Sequence, residues 1–148
     1  MNNRILIVGA GFSGMWAAIS AARLAHLNNR RDIEITVLAP QPELRVRPRF
    51  YEDKVATLVS PLLPLFGEIG VNFLQGSAEQ IDYKNKTVSY RDGAGNAASV
   101  SYDRLVLASG SRVKKSLVEG AQKYAFDIDQ LESAQKFENH LQNLSNQE

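Results

Sequence analysis

Cysteine is absent from this chain, and with it go disulfides, thiolate metal sites and dithiol redox chemistry. Surplus charge is absent as well. The 17 basic and 16 acidic side chains leave a net +1 over 148 residues, which gives no electrostatic case for nucleic acid or an anionic membrane. Long apolar runs are missing: the stretch from Val55 to Phe66 is too short, and too broken by proline, to span a bilayer. The apolar segment beginning at Ile5 runs into glycines without a cleavage-like end, so it does not read as a signal peptide. These absences point to a soluble, cytoplasmic protein, with peripheral membrane attachment through parts outside these residues left open. Histidine is scarce. His26 and His140 lie far apart on helical segments with no cysteine near, so both read as surface or structural groups, and no hydrolytic constellation forms. The length suits one domain with a real core.

What the chain does have stands at its start. Ile5 to Val8 is a continuous apolar run without alternation, the pattern of a parallel strand covered on both faces. It leads into Gly9-Ala10-Gly11-Phe12-Ser13-Gly14, whose glycine spacing is a dinucleotide fingerprint. In that pattern Gly9 permits a tight turn, Gly11 lets the backbone approach a pyrophosphate, and Gly14 lets the following helix pack on the strand. Free N–H groups and the positive helix end, from about Ser13 to Leu27, would hold the phosphates. Ser13 reads either as a phosphate donor or as a helix-initiating residue. Gly14, Ala18 and Ala22 form a small-residue face, while Met15 and Trp16 read as packing residues.

A second strand is expected over Ile33 to Leu38, completing a strand, helix and strand with a right-handed crossover. Its end is unusual. A dinucleotide-binding unit carries Asp or Glu there for the ribose hydroxyls, whereas this chain has Leu38-Ala39-Pro40-Gln41. Gln41, Glu43 or backbone groups are the remaining candidates for that role. Pro42 to Arg49 then holds Arg45, Arg47 and Arg49, which reads either as an extended segment offering guanidinium groups to phosphate or a flavin edge, or as a solvated loop.

Ser60-Pro61 suggests a short helix, with Ser as cap and Pro at the first helical position, ending near Gly67 or Gly70. Val71 to Leu74 reads as a third strand broken by Gly76-Ser77-Ala78. Three alternating segments follow, near Glu79 to Asp82, Lys86 to Tyr90 and Ala98 to Ser101, forming an antiparallel meander with one wet face. Tyr102 to Ser111 returns to a buried-strand pattern that ends in Ala108-Ser109-Gly110, small residues that let backbone approach a ligand. Asp129 to Glu132 has the spacing of a capping box, so Asp127 and Asp129 read as turn and cap rather than metal ligands. Leu131, Ala134, Phe137, Leu141 and Leu144 then mark one face of an amphipathic helix that needs a partner surface.

Together these pieces resemble the two-dinucleotide-domain flavoproteins of the pyridine nucleotide-disulfide oxidoreductase superfamily, in particular type II NADH dehydrogenases and sulfide:quinone oxidoreductases. Ile7 to Gly14 resembles their FAD fingerprint, and Arg47-Pro48-Arg49-Phe50-Tyr51-Glu52 their segment approaching the flavin. Gly76 to Asp82 resembles the entry to their β-insert, with Ala78 by the adenine. Tyr102 to Ser111 resembles their second FAD motif, with Ala108-Ser109-Gly110 in place of Ala-Thr-Gly. The order and spacing hold over nearly the whole chain.

The resemblance implies an α/β Rossmann-like FAD/NAD(P)-binding fold, with a parallel sheet and an inserted three-stranded antiparallel β-meander at about 78–101, over residues 1–125. Residues 126–148 would form a connector helix. The implied cofactor is FAD, held by Gly9, Ala10, Gly11, Phe12, Ser13, Gly14, Ala39, Arg47, Ala78, Ala108, Ser109 and Gly110. NAD(P)H enters only if a second domain exists, because no second glycine fingerprint stands in these residues. The expected function is the FAD-binding portion of an oxidoreductase passing electrons from NAD(P)H through FAD to an acceptor such as a quinone. The chain would be a piece of a longer flavoprotein or a short relative without catalysis. Self-association or a missing second domain would cover the terminal helix. A non-catalytic nucleotide-binding or interaction module is the alternative, favoured by the missing acid at Ala39.

Overall fold

A computed structural model describes residues 3–145. In chain order the elements are β1 (Asn3–Val8), α1 (Phe12–Leu27), β2 (Ile33–Ala39), β3 (Glu43–Arg45), β4 (Val59–Pro61), α2 (Leu63–Glu68), β5 (Asn72–Asp82), β6 (Thr87–Asp92), β7 (Ala97–Ser101), β8 (Arg104–Leu107), α3 (Ala121–Tyr124) and α4 (Leu131–Ser145). The chain divides into two compact units. One comprises residues 1–44 and 61–110, the other residues 45–60 and 111–148.

The first unit is built on a six-stranded sheet in the order β7-β6-β5-β2-β1-β8. β5, β2, β1 and β8 run parallel, so the parallel strands lie in the order third, second, first, fourth. β6 and β7 extend the sheet antiparallel. This is the Rossmann-like fold with an antiparallel insert that the sequence predicts. Alternate residues of the apolar strands serve two cores. Ile7, Ile35, Val37 and Ala39 pack with Met15 and Ala18 of α1 and with Phe66 of α2. Leu6, Val8 and Leu38 pack with Val88, Tyr90 and Tyr102. Hence β1 and β2 are apolar throughout, while Ser89 and Arg91 of β6 are exposed between buried Val88 and Tyr90. Gly14 and Ala18 are buried and Ala22 packs against the core, as the small-residue face requires.

Three local expectations give way here. The break expected at Gly76-Ser77-Ala78 is instead the middle of β5, which pairs with β2 through Gln75 and with β6 from Gly76. Glycine stands at 76 because a side chain would lie 2.6 Å from both the Arg91 carbonyl oxygen and the Tyr90 ring. The irregularity falls at Ala78/Gln80, as a register shift. The short helix starts at Leu63 rather than at Pro61: Ser60 and Pro61 belong to β4, and the proline of the first turn is Pro64. It ends as expected, with Gly70 left-handed at φ +69. β8 is an edge strand, so Val106 and Leu107 are 36% and 61% exposed despite their buried-strand pattern.

The second unit holds α4 against two 3-10 turns, Arg47–Arg49 and Val55–Thr57. Ala134 is buried with Phe50, Val55 and Leu58, and Leu131 packs on them. Phe137 meets Phe126 at 5.5 Å between ring centres, and His140 stacks on the same ring at 4.8 Å. The apolar face of α4 is thus covered in its first half, while Leu141 and Leu144 are about half exposed.

Candidate functional site

Parallel strands carry ligands beyond their carboxyl ends, at the point where strand order reverses. Here that point lies between β1 and β8, which meet in register from Ile5↔Arg104 to Val8↔Leu107. The Ala108 N–H continues the ladder by donating to the Val8 carbonyl oxygen at 2.8 Å. The glycine turn after β1 and Ala108-Ser109-Gly110 after β8 are therefore neighbours, though nearly a hundred positions apart in sequence.

The three glycines of the turn answer to different demands. Gly9 has φ +111, and a Cβ on it would sit 2.2 Å from the Ala108 carbonyl oxygen. A Cβ on Gly14 would sit 1.9 Å from the Gly9 carbonyl oxygen. Packing within the protein thus forbids a side chain at both. At Gly11 nothing lies within 4 Å of a built Cβ, and its φ of −71 suits any residue. No internal contact requires glycine there. The residue is explained by something that approaches from outside.

Gly11 is also the N-cap of α1, with no side-chain cap and no acidic residue in the first turn. The N–H groups of Phe12, Ser13 and Gly14 consequently have no partner within the helix. Phe12 and Ser13 are exposed, Ala10 is buried, and Ser109 and Gly110 are exposed, the latter left-handed at φ +72. Trp16, expected to pack, is 58% exposed, whereas Met15 is buried. An acid-free, uncapped helix start beside an open backbone position suits an anionic diphosphate. Ala39 ends β2 and is buried in the core, so it offers a ligand only backbone. Gln75, its register partner, donates from Nε2 to the Pro40 carbonyl oxygen at 3.1 Å. Ala78 is exposed on β5.

The arginine segment lies in the second unit and differs from both of its expected forms. It is neither extended throughout nor freely solvated. β3 ends at Arg45, Arg47 to Arg49 form a 3-10 turn, and each guanidinium has a carboxylate. Arg45 pairs with Glu132 at 2.8 Å, Arg49 with Glu52 at 2.6 Å, and Arg47 donates to Asp129.

Asp129 is therefore no helix cap. It accepts from the side chain of Gln130 at 2.8 Å, from Arg47 and from the Val113 N–H at 3.2 Å. Those donors, Gln130 first, hold its carboxyl below the usual range. Asp127 pairs with Lys115 at 2.6 Å, which lowers its carboxyl likewise. These residues surround an open cavity of about 610 Å³ whose apolar wall is Pro48, Tyr51, Val113 and Ile128. Composition and spacing could not reveal this cluster, because its members join across some 80 positions and one sequence carries no record of such pairing. Among the described residues no cluster of His, Asp and Glu has the makings of a metal site, and no helix is long and apolar enough to cross a membrane.

The sequence matches the pyridine nucleotide-disulphide oxidoreductase family over residues 3–146. The chain belongs to this family. The family is one of FAD-binding flavoproteins. An NADH dehydrogenase-like protein of Mycobacterium tuberculosis is 37% identical over 146 residues, covering 96% of this chain and 35% of that protein. A demethylphylloquinone reductase of Synechocystis is 27% identical over 146 residues, covering 95% of this chain and 36% of its own. The crystal structure of sulfide:quinone oxidoreductase from Aquifex aeolicus superposes with a TM-score of 0.77 at 26% identity, covering 97% of this chain and 32% of that one. The chain thus spans about a third of the length of these relatives. The family assignment makes the α/β fold and the glycine turn those of a flavoprotein.

Proposed function

We propose that this chain is the FAD-binding portion of an NAD(P)H-dependent flavin oxidoreductase, whose electrons pass to an acceptor such as a quinone. The observation that carries the reading is the open backbone at Gly11, between two glycines that internal packing already explains. On this reading the N–H groups of Phe12, Ser13 and Gly14 hold the FAD diphosphate, with Ala10 and Gly11 shaping the turn. Ala108, Ser109 and Gly110 close the same crevice. Ala39 receives the ribose through backbone alone, and Ala78 stands by the adenine. Arg47, paired with Asp129, is the residue assigned to the flavin end. When bound, FAD supplies the electron chemistry, and the protein supplies position and electrostatics.

Residues 1–125 would make up the FAD-binding region and 126–148 a connector. A second, NAD(P)H-binding domain or a second copy would cover the exposed end of α4. The working compartment on this reading is the cytoplasm, with the longer enzyme peripheral to a membrane.

The test is FAD titration of the purified 148-residue chain, followed by flavin absorbance and fluorescence. Uptake with a yellow colour is expected, and Gly11→Val should abolish it while circular dichroism stays native. A colourless protein that ignores added FAD overturns the reading. That result would favour a non-catalytic nucleotide-binding or interaction module, for which the buried Ala39 at the end of β2 already speaks, since the ribose finds no carboxylate there.

A further inference from the structure

We infer that Asp129 is a positioning residue that holds Arg47 in the wall of the second unit's cavity and cancels its charge, so that this cavity takes the uncharged fused ring of an aromatic cofactor and rejects phosphate.

The inference rests on the FAD reading above, and its own observations lie within one unit. Arginine beside an open cavity is ordinarily an anion site, because its planar fork matches phosphate oxygens. Here the fork is already occupied by Asp129. The same carboxylate takes the Val113 N–H at 3.2 Å and the Gln130 side chain at 2.8 Å, so its position is set from three directions. Gln130 also reaches the Ser111 carbonyl oxygen at 3.3 Å, which ties the start of the 111–115 segment to the same point. The second acid of the cavity, Asp127, is neutralised by Lys115.

An incoming phosphate would have to displace a carboxylate from its guanidinium and then face that carboxylate unpaired. An uncharged ring meets no such opposition. It finds Pro48, Tyr51, Val113 and Ile128, with 72%, 56% and 39% of the last three exposed. The cavity volume of about 610 Å³ is within the range that holds a cofactor-sized ring. Flat apolar walls with a few fixed polar groups are what such a ring requires.

The experiment uses the 148-residue chain and two probes that divide FAD between them. Lumiflavin carries the ring without phosphate, and inorganic pyrophosphate carries the phosphates without the ring. Asp129→Asn keeps a carbonyl acceptor for Val113 while removing the charge. In that variant lumiflavin affinity should fall about tenfold, the scale of a lost charged hydrogen bond. Pyrophosphate affinity should rise, because the Arg47 fork is released. The gain is read against wild type, whose glycine turn also takes pyrophosphate, and it should vanish in the Arg47→Ala/Asp129→Asn double variant. Asp129→Glu should restore lumiflavin binding. A merely structural role for Asp129 would produce no gain in pyrophosphate binding.

FAD uptake with both probes unchanged in Asp129→Asn overturns this inference and leaves the FAD reading standing. Wild type that takes up no FAD overturns both. If thermal unfolding shows that Asp129→Asn does not fold, Arg47→Gln tests the pair from its other side. That variant should lose lumiflavin affinity without gaining pyrophosphate, and unchanged lumiflavin binding would likewise sink the inference.

Discussion

Three glycines within six positions carry three separate reasons for being glycine, and substitution separates them. Gly9→Ala forces a side chain to φ +111 and to 2.2 Å from a carbonyl oxygen of the backbone. It should cost about 3 kcal/mol or more of stability, since backbone strain and clash combine. Gly11→Ala meets nothing within 4 Å and adopts an ordinary conformation. Its unfolding free energy should stay within about 0.5 kcal/mol of wild type, while FAD affinity falls. Urea unfolding beside FAD titration makes both measurements. A Gly11→Ala protein as unstable as Gly9→Ala would show that the position has an internal role instead.

Among the elements, β5 and α4 depend on contacts that their own sequences do not contain. Gly76 sits where the Tyr90 ring and the Arg91 carbonyl oxygen of β6 come close, so Gly76→Ala should loosen the β5–β6 pairing by about 2 kcal/mol. Amide exchange in β6 and β7 should rise more than in β1. The start of α4 rests on buried Ala134 and on the ion pairs of Asp129 and Glu132. Gln130 first for Asp129, and its own backbone N–H first for Glu132, hold these carboxyls low in the folded state. Because the folded value lies below the unfolded value of about 4, the contribution is present above that pH and is lost as pH falls through the lowered value. Partly exposed pairs of this kind contribute about 1 kcal/mol or less each. Amide exchange across residues 129–138, corrected for intrinsic rate, should therefore rise on going from about pH 6 to about pH 3. Asp129→Asn should flatten that dependence.

For the whole molecule the expected consequence of cofactor binding is a shift in unfolding. A ligand that binds only the folded state adds about 2.7 kcal/mol at 100 times its Kd. For a chain of this size that raises Tm by roughly 5 °C, depending on the unfolding entropy. The rise should saturate with the titrated sites and disappear in Gly11→Val. The chain contains one glycine fingerprint in its 148 residues. Accordingly, FAD-loaded protein mixed anaerobically with NADH should keep its flavin absorbance, and bleaching within the turnover range of an enzyme would show that a hydride-donor site is present after all.

The order of strands, the glycine turn and the wet face of the meander were legible in the residues alone. Each is written in local periodicity or in a fixed spacing that few backbones satisfy: four apolar residues before Gly9-Ala10-Gly11-Phe12-Ser13-Gly14 admit little else. Tertiary structure decided what depends on distant neighbours. It made Ala108 the wall against Gly9, gave β8 an exposed edge despite its apolar sequence, and ran β5 straight through Gly76 because Tyr90 lies against it. It also turned Asp129 from a cap into the partner of Arg47. An arginine reads the same in sequence whether its fork is free or filled; the electrostatics that separate an anion site from a ring site arise only when residues 82 positions apart come within hydrogen-bonding distance.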